Sequence, residues 1–262
     1  TIPKSVINIG EYAFGYCSNL KEIDLPGIKI IPKGCFEECT SLNSAVVSNS
    51  VLSIEDYAFN KCKSLKSFII PNTVTSIGDR AFKECYNLTR ITIPSSVIYL
   101  GESAFYNCEK LEVVIINAPL DNIKERTFFG CEMMQNITLP KTVKSINTGA
   151  FTSCSALTQI DIPPSLKSFG SASFLGCKKL KIITIPLNVE TIGERAFEGC
   201  VSLEKIYAHP VMPVDLSKSR DVFKNVNTIK CELHIPRGNK RDYSLSNQWR
   251  DFIIQKELDF TN

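Results

Sequence analysis

Residues Ile70–Thr92 read IPNTVTSIGDRAFKECYNLTRIT, and Ile93-Pro94 open the same phrase again. As a pattern it is I-P-x-x-V-x-x-I-G-x-x-A-F-x-x-C-x-x-L-x-x-I-x. Outward in both directions its cysteine recurs as Cys17, Cys39, Cys62, Cys85, Cys108, Cys131, Cys154, Cys177 and Cys200, one step of 22 residues and seven of 23. A phenylalanine stands three residues ahead each time: Phe14, Phe36, Phe59, Phe82, Phe105, Phe128, Phe151, Phe174 and Phe197. A fixed period of this length marks a repeat solenoid, in which each repeat is one coil stacked on the next.

The chemistry of one phrase sets the shape of one coil. Leu88-x-x-Ile91-x-Ile93 ends in period-two alternation, which predicts a half-buried strand with Ile91 and Ile93 inward and Thr92 outward. Pro94 stops the ladder because it has no N–H to donate. Val97 and Leu100 tie the next segment to the core, and Gly101 turns the chain. Ala104, Phe105 and Cys108 suit a single helical or 3-10 turn. Stacking places like on like, so the phenylalanines form a buried spine. The residue before each Phe, Ala in six repeats, leaves room for it; Cys35, Thr127 and Ser173 fill that place in the others. A polar column of Ser5, Ser50, Thr73, Ser96, Thr142, Ser165 and Asn188 predicts a ladder of side-chain bonds to the backbone of the bends.

Composition narrows the function classes. The chain has 262 residues, 44% of them apolar, and a formal net charge of +3. That balance is too mild to argue for nucleic acid, and no apolar run is long enough for a transmembrane segment. The first residue is Thr1, and Thr1-Ile2-Pro3 reads as the tail of a strand, so further repeats are expected to precede it.

The string I-P-x-x-V-x-x-I-G-x-x-A-F-x-x-C-x-x-L resembles the BspA-like leucine-rich repeats of bacterial surface proteins, over about residues 1–206. The hydroxyl column takes the place of the asparagine in the general leucine-rich pattern. Ile235-Pro236-Arg237-Gly238, Tyr243 and Trp249-Arg250-Asp251-Phe252 resemble the segment that closes such arrays. The resemblance implies a leucine-rich-repeat horseshoe, with a parallel β-sheet on the concave face and short helical or 3-10 turns on the convex side. It also implies a cell-surface or secreted protein with a role in adhesion or recognition, its partner a host matrix protein, another protein or a glycan. The domain reading is an array of nine repeats over residues 1–206 and an irregular final repeat with a C-terminal cap over residues 207–262. The chain is expected to be a monomer.

Cysteines and histidines offer little for catalysis. Nine of the eleven cysteines are equivalent positions of one coil and read as reduced, buried, small hydrophobes. A bridge between adjacent rungs is the alternative, since a rise of about 4.8 Å lies within disulfide reach; parallel Cβ vectors disfavour it. Metal binding needs convergent ligands, which a linear column does not offer. His209 and His234 both lie beyond the last full repeat. No cofactor and no catalytic residue is expected.

Recognition is therefore assigned to a surface. The central outward column of the strands runs Asp24, Val46, Ile69, Thr92, Ile115, Thr138, Asp161, Thr184, Tyr207. Two residues earlier in each strand stand Glu22, Ser44, Ser67, Arg90, Val113, Asn136, Gln159, Ile182 and Lys205. In a horseshoe this sheet lines the recognition surface. The candidate ligand-binding residues are Val46, Ile69, Arg90, Thr92, Val113, Ile115 and Tyr207. β-propensity alone also places Val, Ile and Thr in strands. A structural spacer that presents another domain of a longer chain is the alternative function. Past Ile206 the register breaks and Leu233-His234-Ile235-Pro236 restores it as a tenth strand. A helical turn is expected near Asp221–Lys224, and Trp249, Phe252, Ile253 and Leu258 at helical spacing form the end cap. The second repeat, one residue short with Pro32 for Gly, and the sixth, with Asn117-Ala118-Pro119, are the irregular ones.

Overall fold

The computed structural model describes residues 2–259; Thr1, assigned above to a strand tail, lies outside them. The chain is a parallel-strand β-solenoid of about ten turns with almost no helix. It divides into two compact units, Thr1–Leu120 with Lys124–Met134, and Asp121–Ile123 with Gln135–Asn262, the division running through the irregular sixth repeat.

The predicted strands form the first ladder of each coil. In the first unit Glu22–Leu25 pairs with Ser44–Val47, and Arg90–Ile93 with Val113–Ile116, both in parallel. Ile91 and Ile93 are buried and Thr92 is exposed, as the alternation requires. In the second unit Asn136–Thr138 pairs with Gln159–Asp161. There Ile182–Ile185, Lys205–Ala208, Glu232–Pro236 and Ile254–Leu258 form a four-stranded parallel sheet.

One coil departs from this order. Residues 68–70 form no strand, and a single bridge, Ser67 to Arg90, holds the segment to the following coil. The inward residue here is Phe68, where the neighbouring coils carry Ala45 and Ile91. Its ring reaches 4.8 Å from that of Phe59 and 5.3 Å from that of Phe82. A phenyl ring at a position sized for isoleucine accompanies the interruption.

A second ladder was not expected. Ile30–Ile31, Ser53–Ile54, Ser76–Ile77 and Tyr99–Leu100 pair in order in one unit; Asn122–Ile123, Ser145–Ile146, Ser168–Phe169 and Thr191–Ile192 pair in the other. Two-residue strands are too short to display a period in the sequence. Gly101 follows one of them for clearance: a Cβ there would lie 2.4 Å from the carbonyl carbon of Gly78 in the preceding coil.

The turns form the third ladder. Arg80, Phe82 and Glu84 donate their N–H groups to the carbonyls of Glu102, Ala104 and Tyr106 in the next coil, at 2.9, 2.8 and 2.7 Å. Within the coil the turns close through bonds such as Tyr106 N–H to Ser103 O (3.1 Å) and Cys108 N–H to Phe105 O (3.2 Å). Ser103 and Asn107, at φ 54°, are left-handed, as are their counterparts in the other coils. Alternating handedness keeps these bonds from continuing into a helix.

The spine is as predicted. In the first unit the rings from Phe14 to Phe128 stack with centroids 5.2–5.6 Å apart and planes within 15°. In the second, Phe151, Phe174 and Phe197 continue the motif at 5.3 and 5.6 Å. All but Phe14 are fully buried, each contributing about 1.5–3 kcal/mol of burial. The hydroxyl ladder is present too: Ser50, Thr73, Ser96 and Ser165 donate to the carbonyls of Ile28, Val51, Val74 and Val143 at 2.6–2.9 Å.

The cysteines are free thiols, and all except Cys17 are buried. Seven of the nine column thiols, Cys39, Cys62, Cys85, Cys108, Cys131, Cys177 and Cys200, reach back to the Phe carbonyl of the previous coil; Cys62 to Phe36 O is 3.1 Å and Cys108 to Phe82 O is 3.2 Å. Burial pushes the Cys200 and Cys231 thiols up to about 12 and that of Cys39 up to about 11.

Beyond Ile206 the stack goes on in altered form. Phe223 stacks on Phe197 at 5.7 Å, so the segment expected to be a helical turn is a further rung of the spine. Trp249 and Phe252 are buried with their rings 5.1 Å from that of Phe223. Trp249 stands in a 3-10 turn, Trp249–Asp251, after the helix Lys240–Leu245. The helical spacing read into Ile253 and Leu258 does not hold. Ile253 is exposed, and Leu258 ends the strand Ile254–Leu258, whose backbone is paired with Glu232–Pro236.

Candidate ligand-binding face

In a strand, alternate side chains leave the core, and the register decides which of them become neighbours. In the first unit it sets Asp24 beside Val46, Glu22 beside Ser44, Arg90 beside Val113 and Thr92 beside Ile115. Ser67 is bridged to Arg90. Six of the seven candidate residues thus lie on strands or strand-like segments of one unit.

Their exposure is uneven. Ile69 is 84% exposed, the most of any large apolar side chain described; Val46 is 58% and Ile115 44% exposed. Arg90 and Thr92 are exposed, and Val113 is half-buried. Ile69 and Val46 stand on the two coils between which the sheet is interrupted. No backbone hydrogen bond joins 44–47 to 67–70 among the described residues. The residue whose bulk accompanies the break, Phe68, directly precedes the most exposed isoleucine. Sequence reading found the apolar column but not this gap, which depends on how Phe68 packs.

Tyr207 belongs to the other unit. It is half-buried and stacks on His234 at 4.7 Å, its partner in the sheet register. His234 Nε2 lies 3.0 Å from Glu232 Oε2, and Lys256 Nζ donates to Glu232 Oε1 at 2.6 Å. Together these contacts hold the Glu232 carboxyl below its ordinary range. Tyr207 is therefore part of a polar cluster rather than of the aliphatic row.

The second unit also carries a groove of about 690 Å³ where the strands end, lined mainly by Ile162, Pro186, Leu187, Val211, Pro236 and Leu258. His209 stands in its wall, and burial lowers the pKa of its imidazole. Arg237 and Asp259, 2.8 Å apart, also line it. Among the described residues no group of three or more His, Cys, Asp and Glu converges as a metal site, and no helix is long and apolar enough to cross a membrane.

The family model for the BspA type leucine rich repeat region matches residues 1–112 and 99–230 in six copies. A leucine-rich repeat protein of Bacteroides ovatus is 29% identical and superposes with a TM-score of 0.77. The match covers 97% of this chain and 64% of that one. The chain thus spans about two thirds of the length of that protein. A leucine-rich repeat protein of T. pallidum is 27% identical with a TM-score of 0.50, over 67% of this chain and 72% of its own. No curated protein sequence matches.

Proposed function

The chain belongs to the BspA-type leucine-rich repeat family, and from that premise we propose that it is a non-enzymatic binding module, displayed outside the cell, that holds a protein partner on the outward face of its strands. The observation that carries this reading is the exposed row Val46, Ile69 and Ile115. Large aliphatic side chains exposed on one face of the coils lose solvent when a partner covers them. Every coil is already closed by backbone ladders and the Phe spine, so these side chains are spare to the fold. The extracellular setting rests on the family likeness. A spacer role would need none of the row and is the competing reading.

The test is a screen of immobilised matrix proteins and glycans with the intact chain and with the double variant Ile69→Asp/Ile115→Asp. A partner found by the intact chain should bind the variant at least tenfold more weakly, with unchanged melting. A partner that binds both alike would remove the site from this face, and a glycan bound in that way would direct attention to the Tyr207–His234 cluster.

A further inference from the structure

The outward face of the first unit has an electrical order as well as an apolar row. In one column its successive coils present the half-buried Asp24, then Val46, Ile69 and Thr92; in the neighbouring column they present Glu22, Ser44, Ser67 and Arg90, so the acids stand at one end and Arg90 diagonally across at the other. None of Glu22, Asp24 and Arg90 makes an ion pair within the chain among the described residues. Elsewhere on the surface ion pairs are common, as between Lys61 and Glu38 at 2.6 Å or Lys83 and Glu84 at 3.3 Å. This strip therefore keeps both signs of charge unpaired, separated by aliphatic side chains.

We propose that the occupant of this face is an extended polypeptide carrying a basic side chain, an apolar stretch and an acidic side chain in that order, the acid seated on Arg90. The proposal rests on the reading that this face binds a protein, and it specifies that partner's chemistry. Three rungs and two positions along the strand separate Asp24 from Arg90, about 16 Å at about 4.8 Å a rung and about 3.3 Å a residue. An extended chain rises about 3.3 Å per residue, so its base and acid stand about five residues apart. The residues between them lie over Val46 and Ile69. A guanidinium takes a carboxylate in two parallel hydrogen bonds, which fixes the direction of the bound chain as well as its register. A nucleic acid backbone meets the carboxylates of Glu22 and Asp24, and a neutral sugar uses neither charge. The strip thus favours polypeptide over both.

The experiment is selection of a random 12-residue phage-displayed peptide library on the immobilised chain, followed by titration of enriched peptides made synthetically. Enriched peptides should carry a basic and an acidic residue about five apart around apolar ones. Arg90→Glu should weaken them at least tenfold, with Arg90→Met intermediate, and a peptide with its acid changed to Lys should recover affinity for Arg90→Glu. Melting of each variant confirms its fold. Peptides indifferent to Arg90→Glu but lost on Ile69→Asp/Ile115→Asp would refute the charge order and leave the face reading standing; indifference to both would sink both. Absence of any enriched peptide overturns the proposal. So does concentration-dependent dimerisation that Arg90→Glu abolishes, since it makes a second copy the occupant.

Discussion

Phe105→Ala tests the stack at its most loaded point. The ring is fully buried and parallel to both neighbours, 5.5 Å and 8° from Phe82 and 5.6 Å and 4° from Phe128. Removing it forfeits the burial of one phenyl, about 1.5–3 kcal/mol, and two aromatic contacts of about 0.5–1.5 kcal/mol each. It also opens a void in a wall held by three ladders. The sum, about 2.5–6 kcal/mol, brackets the range of about 3–5 kcal/mol seen for buried Phe→Ala changes. Phe14→Ala is the internal control, because Phe14 is only half-buried and stacks on Phe36 alone among the described rings, at 5.4 Å. It should cost about half as much. Urea denaturation followed by circular dichroism reads both, with midpoints compared directly because repeat arrays need not unfold in one step. A loss below about 1 kcal/mol for Phe105→Ala, or equal losses at the two sites, would refute the account of a spine whose strength comes from neighbours on both sides.

Four further outcomes follow from the same geometry. With native protein, an alkylating reagent should modify Cys17 quickly and the ten buried cysteines only on unfolding; rapid modification of several would contradict the burial. Folding holds the proton on thiols such as Cys200, raised from about 9 to about 12, so this stabilisation is complete below pH 9 and is lost between pH 9 and 12. The loss runs at about 1.4 kcal/mol per pH unit per thiol, and a melting temperature that stays level from pH 8 to 10.5 would disprove it. Gly101→Ala puts a methyl 2.4 Å from backbone and should cost about 1–3 kcal/mol, whereas Gly199→Ala, left-handed at φ 74° with room for a Cβ, should cost about 1 kcal/mol; equal melting of both variants and the parent would show that neither constraint is real. Deleting residues 237–262 strips Trp249 and Phe252 from Phe223 and should promote aggregation, measured by light scattering; a monomeric truncation of unchanged stability would make the segment an appendage.

What the sequence by itself determined is the coil and its columns. A period of 23 residues stacks Phe on Phe and Cys on Cys, so the core could be written down before any coordinate, and strand alternation separated Ile91 and Ile93 from Thr92. The hydroxyl column was legible for the same reason, since a short polar side chain repeated at one bend has the same carbonyl beneath it each time. Tertiary structure alone decided the rest. The second ladder is two residues wide, too short for strand alternation to show, although its inward residue recurs as the Ile of V-x-x-I-G. The left-handed residues of the turns are ordinary ones such as Ser103 and Arg80, set by bonds to the next coil rather than by their own preference. Phe223 follows Phe197 by 26 residues instead of 23, so the spine continues through a break in the period that Val222 and Val226 mark only faintly. The candidate face divides in the same way. Its apolar column was readable, but the exposure of Ile69 goes with Phe68 turning inward against Phe59 and Phe82 where the sheet is interrupted, and packing between coils is not written in any one of them.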